Sequence, residues 1–262
     1  MTTPRTRPII GIIQARMGST RLPGKSLMDL AGAPLLARVI ERMQHCQTLD
    51  GLVLATTDQP EDAALVDLAL DMGVAVYRGS VDDVLDRFVH AARLADAALI
   101  VRITADDPFK DPALTDHAVR LWLQRPHELD YVSNTLEPTY PEGLDIEVFT
   151  RDALERAARE AQLPSEREHV TPYIWKHPDR FRLLNFRHTR DLSHLRWTVD
   201  YPQDLAFARA VYERLYRPGQ VFLMEDILAL LEREPALARI NAGIARNEGY
   251  QKSLEAEQAP QD

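Results

Sequence analysis

Four short apolar runs alternate with segments of helical period along the first half of this chain, and that alternation constrains its fold more than any other feature. Pro8–Gln14, Gly51–Thr57, Val74–Tyr77 and Ala98–Thr104 read as strands; the first is isoleucine-rich and bounded by turn residues, as a strand buried on both faces is. Pro34–Cys46, Glu61–Met72, Asp82–Leu94 and Pro112–Arg125 place apolar residues at helical spacing. Pro34 suits a first helical turn, and Asp82 and Asp83 complement a helix dipole at its positive end. Strand and helix in alternation predict an α/β fold, a mostly parallel sheet with helices on both faces and right-handed crossovers. Ligands of such sheets bind beyond the carboxyl ends of the strands.

After residue 128 the rhythm changes. Asp130–Asn134, Leu144–Phe149, Phe181–Phe186 and the short Leu195–Val199 read as strands, Arg151–Ala161 and Pro202–Arg214 as helices, and 220–247 as one or two helices. The organisation expected is an α/β part over 1–127, an inserted lid or subdomain over 128–190, a return to the α/β part over 191–250, and a polar, disordered tail over 251–262. The chain has 262 residues, enough to bury a sizeable core. Its single cysteine, Cys46, allows neither an intrachain disulfide nor a cysteine zinc cluster and suits a reducing cytoplasm. No apolar stretch approaches the length of a membrane span, and no signal peptide is read at the start. A formal net charge of −9 argues against a general nucleic-acid binder.

Against that negative charge, the loop after the first strand is cationic. "QARMGSTRLPGKSL" carries Arg16, Arg21 and Lys25 with Gly18, Gly24, Ser19 and Thr20. It is not a P-loop, which has four residues between its first glycine and Gly-Lys; here five separate Gly18 from Gly24. Its chemistry still suits an anion: glycines let backbone N–H groups approach, arginine grips phosphate oxygens in pairs, and lysine adds a point charge. The plainer reading is a surface loop with solvated charges. Two acidic segments leave strands at the same sheet edge, "VRITADDPFKDP" and "RWTVDYPQDL". Asp106 and Asp200 are candidate magnesium ligands, since magnesium takes one or two carboxylates with substrate phosphates and water. Asp107, Asp111 and Asp204 read as caps of helices or turns.

These segments, with "RGSVDDVLDRF", "YPEGLDIEVF" and "EREHVTPY", resemble in order the cytidylyltransferases that act on acylneuraminate and 3-deoxy-manno-octulosonate, most of all the branch of spore-coat polysaccharide biosynthesis proteins. The resemblance runs from about residue 8 to about residue 215. It implies a Rossmann-like nucleotidyltransferase fold with its nucleotide site in 1–127, and an acceptor-binding segment at 128–190 through which a homodimer forms. It implies transfer of CMP from CTP to an acidic sugar with release of pyrophosphate, in surface-polysaccharide or glycoconjugate synthesis, with magnesium as cofactor. Carried over by motif, Ala15, Arg16, Gly18, Ser19, Arg21 and Lys25 would bind the nucleotide, and Asp106 and Asp200 the metal. Arg16, Lys25, Asp106 and Asp200 would carry the catalysis. Arg78 and Ser80 would lie near the cytosine. Glu142, Asp145, Glu147, Glu166 and His169 would line the acceptor site. Ala105 stands where relatives usually have glycine, and Tyr201 where they usually have threonine. A phosphonate or phosphorylated acceptor, another nucleoside triphosphate, and a non-catalytic nucleotide-binding protein remain alternatives. Leu22, Trp175 and Trp197 are read as core rather than pocket wall, and Cys46 as inert.

Overall fold

A computed structural model describes residues 8–258. Its strands are β1 (Ile9–Gln14), β2 (Asp29–Leu30), β3 (Ala33–Pro34), β4 (Gly51–Thr57), β5 (Ala75–Gly79), β6 (Leu99–Thr104), β7 (Tyr131–Ser133), β8 (Glu147–Thr150) and β9 (Leu183–Asn185). Its helices are α1 (Leu35–Met43), α2 (Ala63–Asp71), α3 (Val84–Leu94), α4 (Pro112–Leu123), α5 (Arg151–Glu160), α6 (Pro164–His169), α7 (Pro172–Trp175), α8 (Pro202–Leu215), α9 (Met224–Arg233) and α10 (Glu248–Gln258). One seven-stranded sheet runs β5-β4-β1-β6-β8-β7-β9, and β2 and β3 form a separate hairpin. The first four strands of the sheet pair in parallel; β8 runs antiparallel to both β6 and β7.

The period of two in β1 explains why it sits at the centre. Ile9 and Ile13 join one core, and Ile10 and Ile12 join the core on the opposite face. The first core is covered by α1, α2, α4, α8 and α9; the second by α3, α5 and the residues around α7. A strand apolar on both sides has no place at a wetted edge.

Three expectations are corrected. Residues 128–190 do not stand apart as a lid: β7, β8 and β9 extend the central sheet. Leu195–Val199 is not a strand; its ladder contact is a single bridge between Glu142 and Arg196, and Trp197 and Val199 are apolar because they fill the first core. The tail is helical through Gln258, because α10 is held by side-chain contacts described below; residues 259–262 lie outside the described residues. No helix of the described residues is long and apolar enough to cross a membrane.

Gly143 has φ +99, and a Cβ there would stand 2.7 Å from the Trp197 carbonyl carbon. Both the left-handed backbone and the close approach demand glycine. Gly143→Ala is expected to lower stability by about 2 kcal/mol or more, read as a lower urea midpoint at unchanged slope. An unchanged midpoint would show that the turn tolerates a side chain.

Candidate active site

The cationic loop is built by local hydrogen bonds that end in one inward-pointing lysine. Gly24 takes φ +72, and its N–H and that of Ser19 both donate to the Met17 carbonyl. Met17 N–H donates to Asp62 Oδ1 at 2.7 Å, while Thr56 and Thr57 at the end of β4 bind the same carboxylate. Asp62, nearly sealed from solvent, thus ties the loop to the neighbouring strand.

The turn at Gly24 aims Lys25 at the two carboxylates. Lys25 Nζ lies 2.6 Å from Asp106 Oδ2 and 2.8 Å from Asp200 Oδ1, and donates to the Val199 carbonyl at 2.9 Å. Burial works against the ammonium, but the two carboxylates outweigh it and raise the Lys25 pKa. Burial likewise disfavours the Asp106 charge, and Lys25 outweighs it, holding that carboxyl below the usual range. Arg21 Nη2 reaches Asp200 Oδ1 at 2.7 Å, and Arg196 Nη2 reaches Oδ2 at 2.9 Å. Arg16 is exposed and makes no hydrogen bond among the described residues.

Two carboxylates therefore converge on one cation. Among the described residues no cluster of three or more carboxylate, histidine or cysteine ligands exists. That donor set fits magnesium, which leaves most of its coordination to phosphates and water, and does not fit a structural zinc site. Asp111 caps α4 by accepting from Leu114 N–H, and Asp204 accepts from the N–H groups of Asp200 and Tyr201 at the start of α8. Asp107 sits in a turn, bonded to Thr104 and to Lys110. All three act as the caps and turn residue expected. Ala105 packs in the first core rather than in the site, and its backbone is not left-handed, so no glycine is needed there.

Arg78 and Ser80, at the end of β5 and just beyond it, share this sheet edge, but Arg78 is spent on the Thr57 and Gln59 carbonyls. Ser80 Oγ accepts from Asp82 N–H at 3.2 Å.

At the same sheet edge, where Arg102 of β6 pairs with Glu147 of β8, opens a cavity of about 310 Å³. Of the residues expected to line an acceptor site, Asp145, Glu147 and His169 line this cavity; Glu142 and Glu166 do not. Glu142 lies behind the wall, paired to Arg196 at 2.7 Å, and Glu166 is buried beside Lys176. Glu147 is fully engaged, accepting from Arg102, Tyr131 and Thr171. His169 is pushed down to about 4 by burial and by Arg102, so it is neutral near pH 7. Val170 holds φ +72 and ψ −54, and Thr171 N–H donates to the His169 carbonyl at 2.8 Å. This is a strained γ-turn at a β-branched residue, and it places both His169 and Thr171 on the cavity wall. Leu22 and Trp197 are core, whereas Trp175 lines the cavity. Cys46, far from this site in role, is pushed up to about 12 by burial and is inert.

Sequence reasoning missed several groups here. Arg102 lines the cavity, and so do Asn247, Tyr250 and Gln251 at the start of α10. Glu248 Oε2 accepts from Tyr201 Oη at 2.5 Å and lies 3.4 Å from Arg21 Nη1. Tyr201 therefore reaches α10, and its ring lies under the Arg21 guanidinium. Arg246 pairs with Asp145, Ser253 bonds His169 Nε2 at 3.0 Å, and Glu257 accepts from Ser165 N–H.

The chain is 34% identical over 237 residues to the spore coat polysaccharide biosynthesis protein SpsF of Bacillus subtilis, covering 88% of this chain and 96% of that one. It is 36% identical over 120 residues to a 3-deoxy-manno-octulosonate cytidylyltransferase of Trichlorobacter lovleyi, 45% of this chain and 46% of that one. The solved structure of a cytidylyltransferase from Leptospira borgpetersenii superposes with a TM-score of 0.86 at 30% identity, covering 92% of this chain and all of that one. The family model described as cytidylyltransferase matches residues 10–225, which hold the cationic loop and both carboxylates, and the chain belongs to that family.

Proposed function

We propose that this cytidylyltransferase transfers CMP from CTP to a sugar bearing a carboxylate, with loss of pyrophosphate and with magnesium at Asp106 and Asp200. The observation that carries the reading is the Lys25 ammonium shared between Asp106 and Asp200, at the same sheet edge as a cavity of about 310 Å³. Arg102 is the one arginine or lysine on the cavity wall. Its Nη1 is taken by Glu147 and its Nε by Gln14, which leaves Nη2 for an acceptor. One free guanidinium nitrogen beside a neutral His169 matches a singly charged carboxylate better than a phosphate or phosphonate head. The names of the relatives, one in spore coat polysaccharide synthesis and one acting on 3-deoxy-manno-octulosonate, support the same class.

In this mechanism an acceptor hydroxyl attacks the α-phosphorus of CTP in line, its proton passes to solvent, and the bond to the pyrophosphate oxygen breaks. Phosphoryl-type transfer asks mainly for positioning and charge neutralisation. Arg16, Arg21 and Lys25 bind the triphosphate and stabilise the charge that collects on the departing pyrophosphate. Asp106 and Asp200 hold the magnesium, which when bound supplies Lewis-acid stabilisation of phosphate oxygens. Arg196 orients Asp200, and Arg102 orients the acceptor.

Thermal unfolding with CTP, UTP, ATP and GTP, each with and without magnesium, tests the nucleotide. A ligand at 100 times its Kd stabilises by about 2.7 kcal/mol. The expected result is a rise of the midpoint with CTP and magnesium that the other nucleotides do not match. A rise with another nucleotide and none with CTP overturns the CTP reading. Pyrophosphate release from CTP with 3-deoxy-manno-octulosonate or N-acetylneuraminate tests the acceptor class.

A further inference from the structure

We propose that Asn247 and Gln251, on α10 and its entry, select the acceptor by binding the hydroxyls of its polyhydroxylated chain. The inference rests on the sugar-acid reading above. Both residues line the cavity, yet they lie beyond the segment 10–225 that the cytidylyltransferase family model covers. Asn247 stands just before α10 and Gln251 one turn into it, and the Gln251 N–H donates to the Asn247 carbonyl at 3.1 Å, which holds the two on the same stretch of wall. Each carboxamide offers both donors and an acceptor, and neither makes a side-chain hydrogen bond among the described residues. A hydroxyl also donates and accepts, so two such groups on adjacent turns match hydroxyls on neighbouring carbons. Tyr250 stands between them in sequence, its ring 5.8 Å from Trp175 and 5.1 Å from His169, and completes an aromatic wall.

The segment is held where such selection requires. Arg246 anchors it to Asp145, the backbone N–H of Asn247 donates to Glu142 at 2.8 Å, and Glu248 ties it to Arg21 and Tyr201. On the same wall, Tyr250 Oη is sealed from solvent and has no hydrogen-bond partner among the described residues.

The test is steady-state pyrophosphate release with CTP, magnesium and, in turn, 3-deoxy-manno-octulosonate and N-acetylneuraminate, for wild type, Asn247→Gly and Gln251→Ala. Asn247 has φ +55, so glycine keeps the backbone and removes only the carboxamide. Gln251 is exposed, so its truncation leaves the fold intact. Each variant is expected to raise the acceptor KM about fivefold, with the KM for CTP and the thermal midpoint unchanged. Unchanged acceptor KM in both variants overturns the proposal, as does an equal rise in the KM for CTP. Stabilisation of wild type by CTP without turnover of either sugar acid overturns the acceptor class and this proposal with it. Absence of any CTP effect on wild type overturns the nucleotide reading itself.

Discussion

Lys25→Ala is expected to lower pyrophosphate release from CTP about a hundredfold or more, the size of a typical deletion of a preorganised electrostatic group. Among the described residues the ammonium is the one side-chain group in contact with the carboxylates of both Asp106 and Asp200, at 2.6 and 2.8 Å. Removing it takes a cation from the proposed triphosphate site and also leaves two neighbouring carboxylates less compensated. The two consequences separate by experiment. If the loss were mere collapse of the site through repulsion, Asp106→Asn added to Lys25→Ala would restore turnover. The proposed roles predict no restoration, because on them Asp106→Asn alone costs about a hundredfold through the magnesium it would hold. Lys25→Arg is expected to rescue little: the side chain is 11% exposed, and a planar fork does not fill the place of a compact ammonium bonded to three oxygens. Turnover near that of wild type in Lys25→Ala would remove this lysine from the catalytic group.

The cationic loop and its two carboxylates were far more legible than the cavity, and the reason is physical. Strands β1 and β6 announce themselves because a central parallel strand must be apolar on both faces, and every polar residue displaced to their carboxyl ends then stands out. Arg21, Lys25 and Asp106 stand out in that way, whereas Asp200 stands out only because it follows the apolar run Leu195–Val199. The cavity depends instead on contacts between distant segments. Glu248 meets Arg21 across 227 positions, and no local pattern in "RNEGYQ" marks Asn247 or Gln251 as cavity wall. The γ-turn at Val170 was equally hidden, since valine is a residue that sequence rules exclude from a left-handed backbone. Leu195–Val199 misled because apolar residues that fill a core in irregular backbone look like a short strand. Arg196 carried a usable signal: an arginine between apolar neighbours, with aspartates four and eight residues on, is spaced for burial with partners.

That arginine sets the second large effect, on stability rather than on chemistry. Arg196 is 5% exposed and places its guanidinium against three carboxylates: Glu142 at 2.7 Å, Asp200 at 2.9 Å and Asp204 at 3.0 Å. Asp204 also holds the first turn of α8 through the N–H groups of Asp200 and Tyr201, and Asn241 closes the group from the far side. Arg196→Met keeps much of the aliphatic volume and removes the charge, leaving three carboxylates in a poorly hydrated place. Breaking a buried ionic group from one side costs about 3–5 kcal/mol. The expected result is a fall of that size in the unfolding free energy, read from urea titration at constant slope. Coupling distinguishes this cause from simple loss of packing. In a Glu142→Gln background one carboxylate is already neutral, so the same arginine substitution is expected to cost clearly less. A loss below about 1 kcal/mol in the single variant, or an equal loss in both backgrounds, would mean that the carboxylates find water or protons without the arginine. The group that aligns Asp200 would then be Lys25 and Arg21 alone, since these are the other cations in contact with its Oδ1.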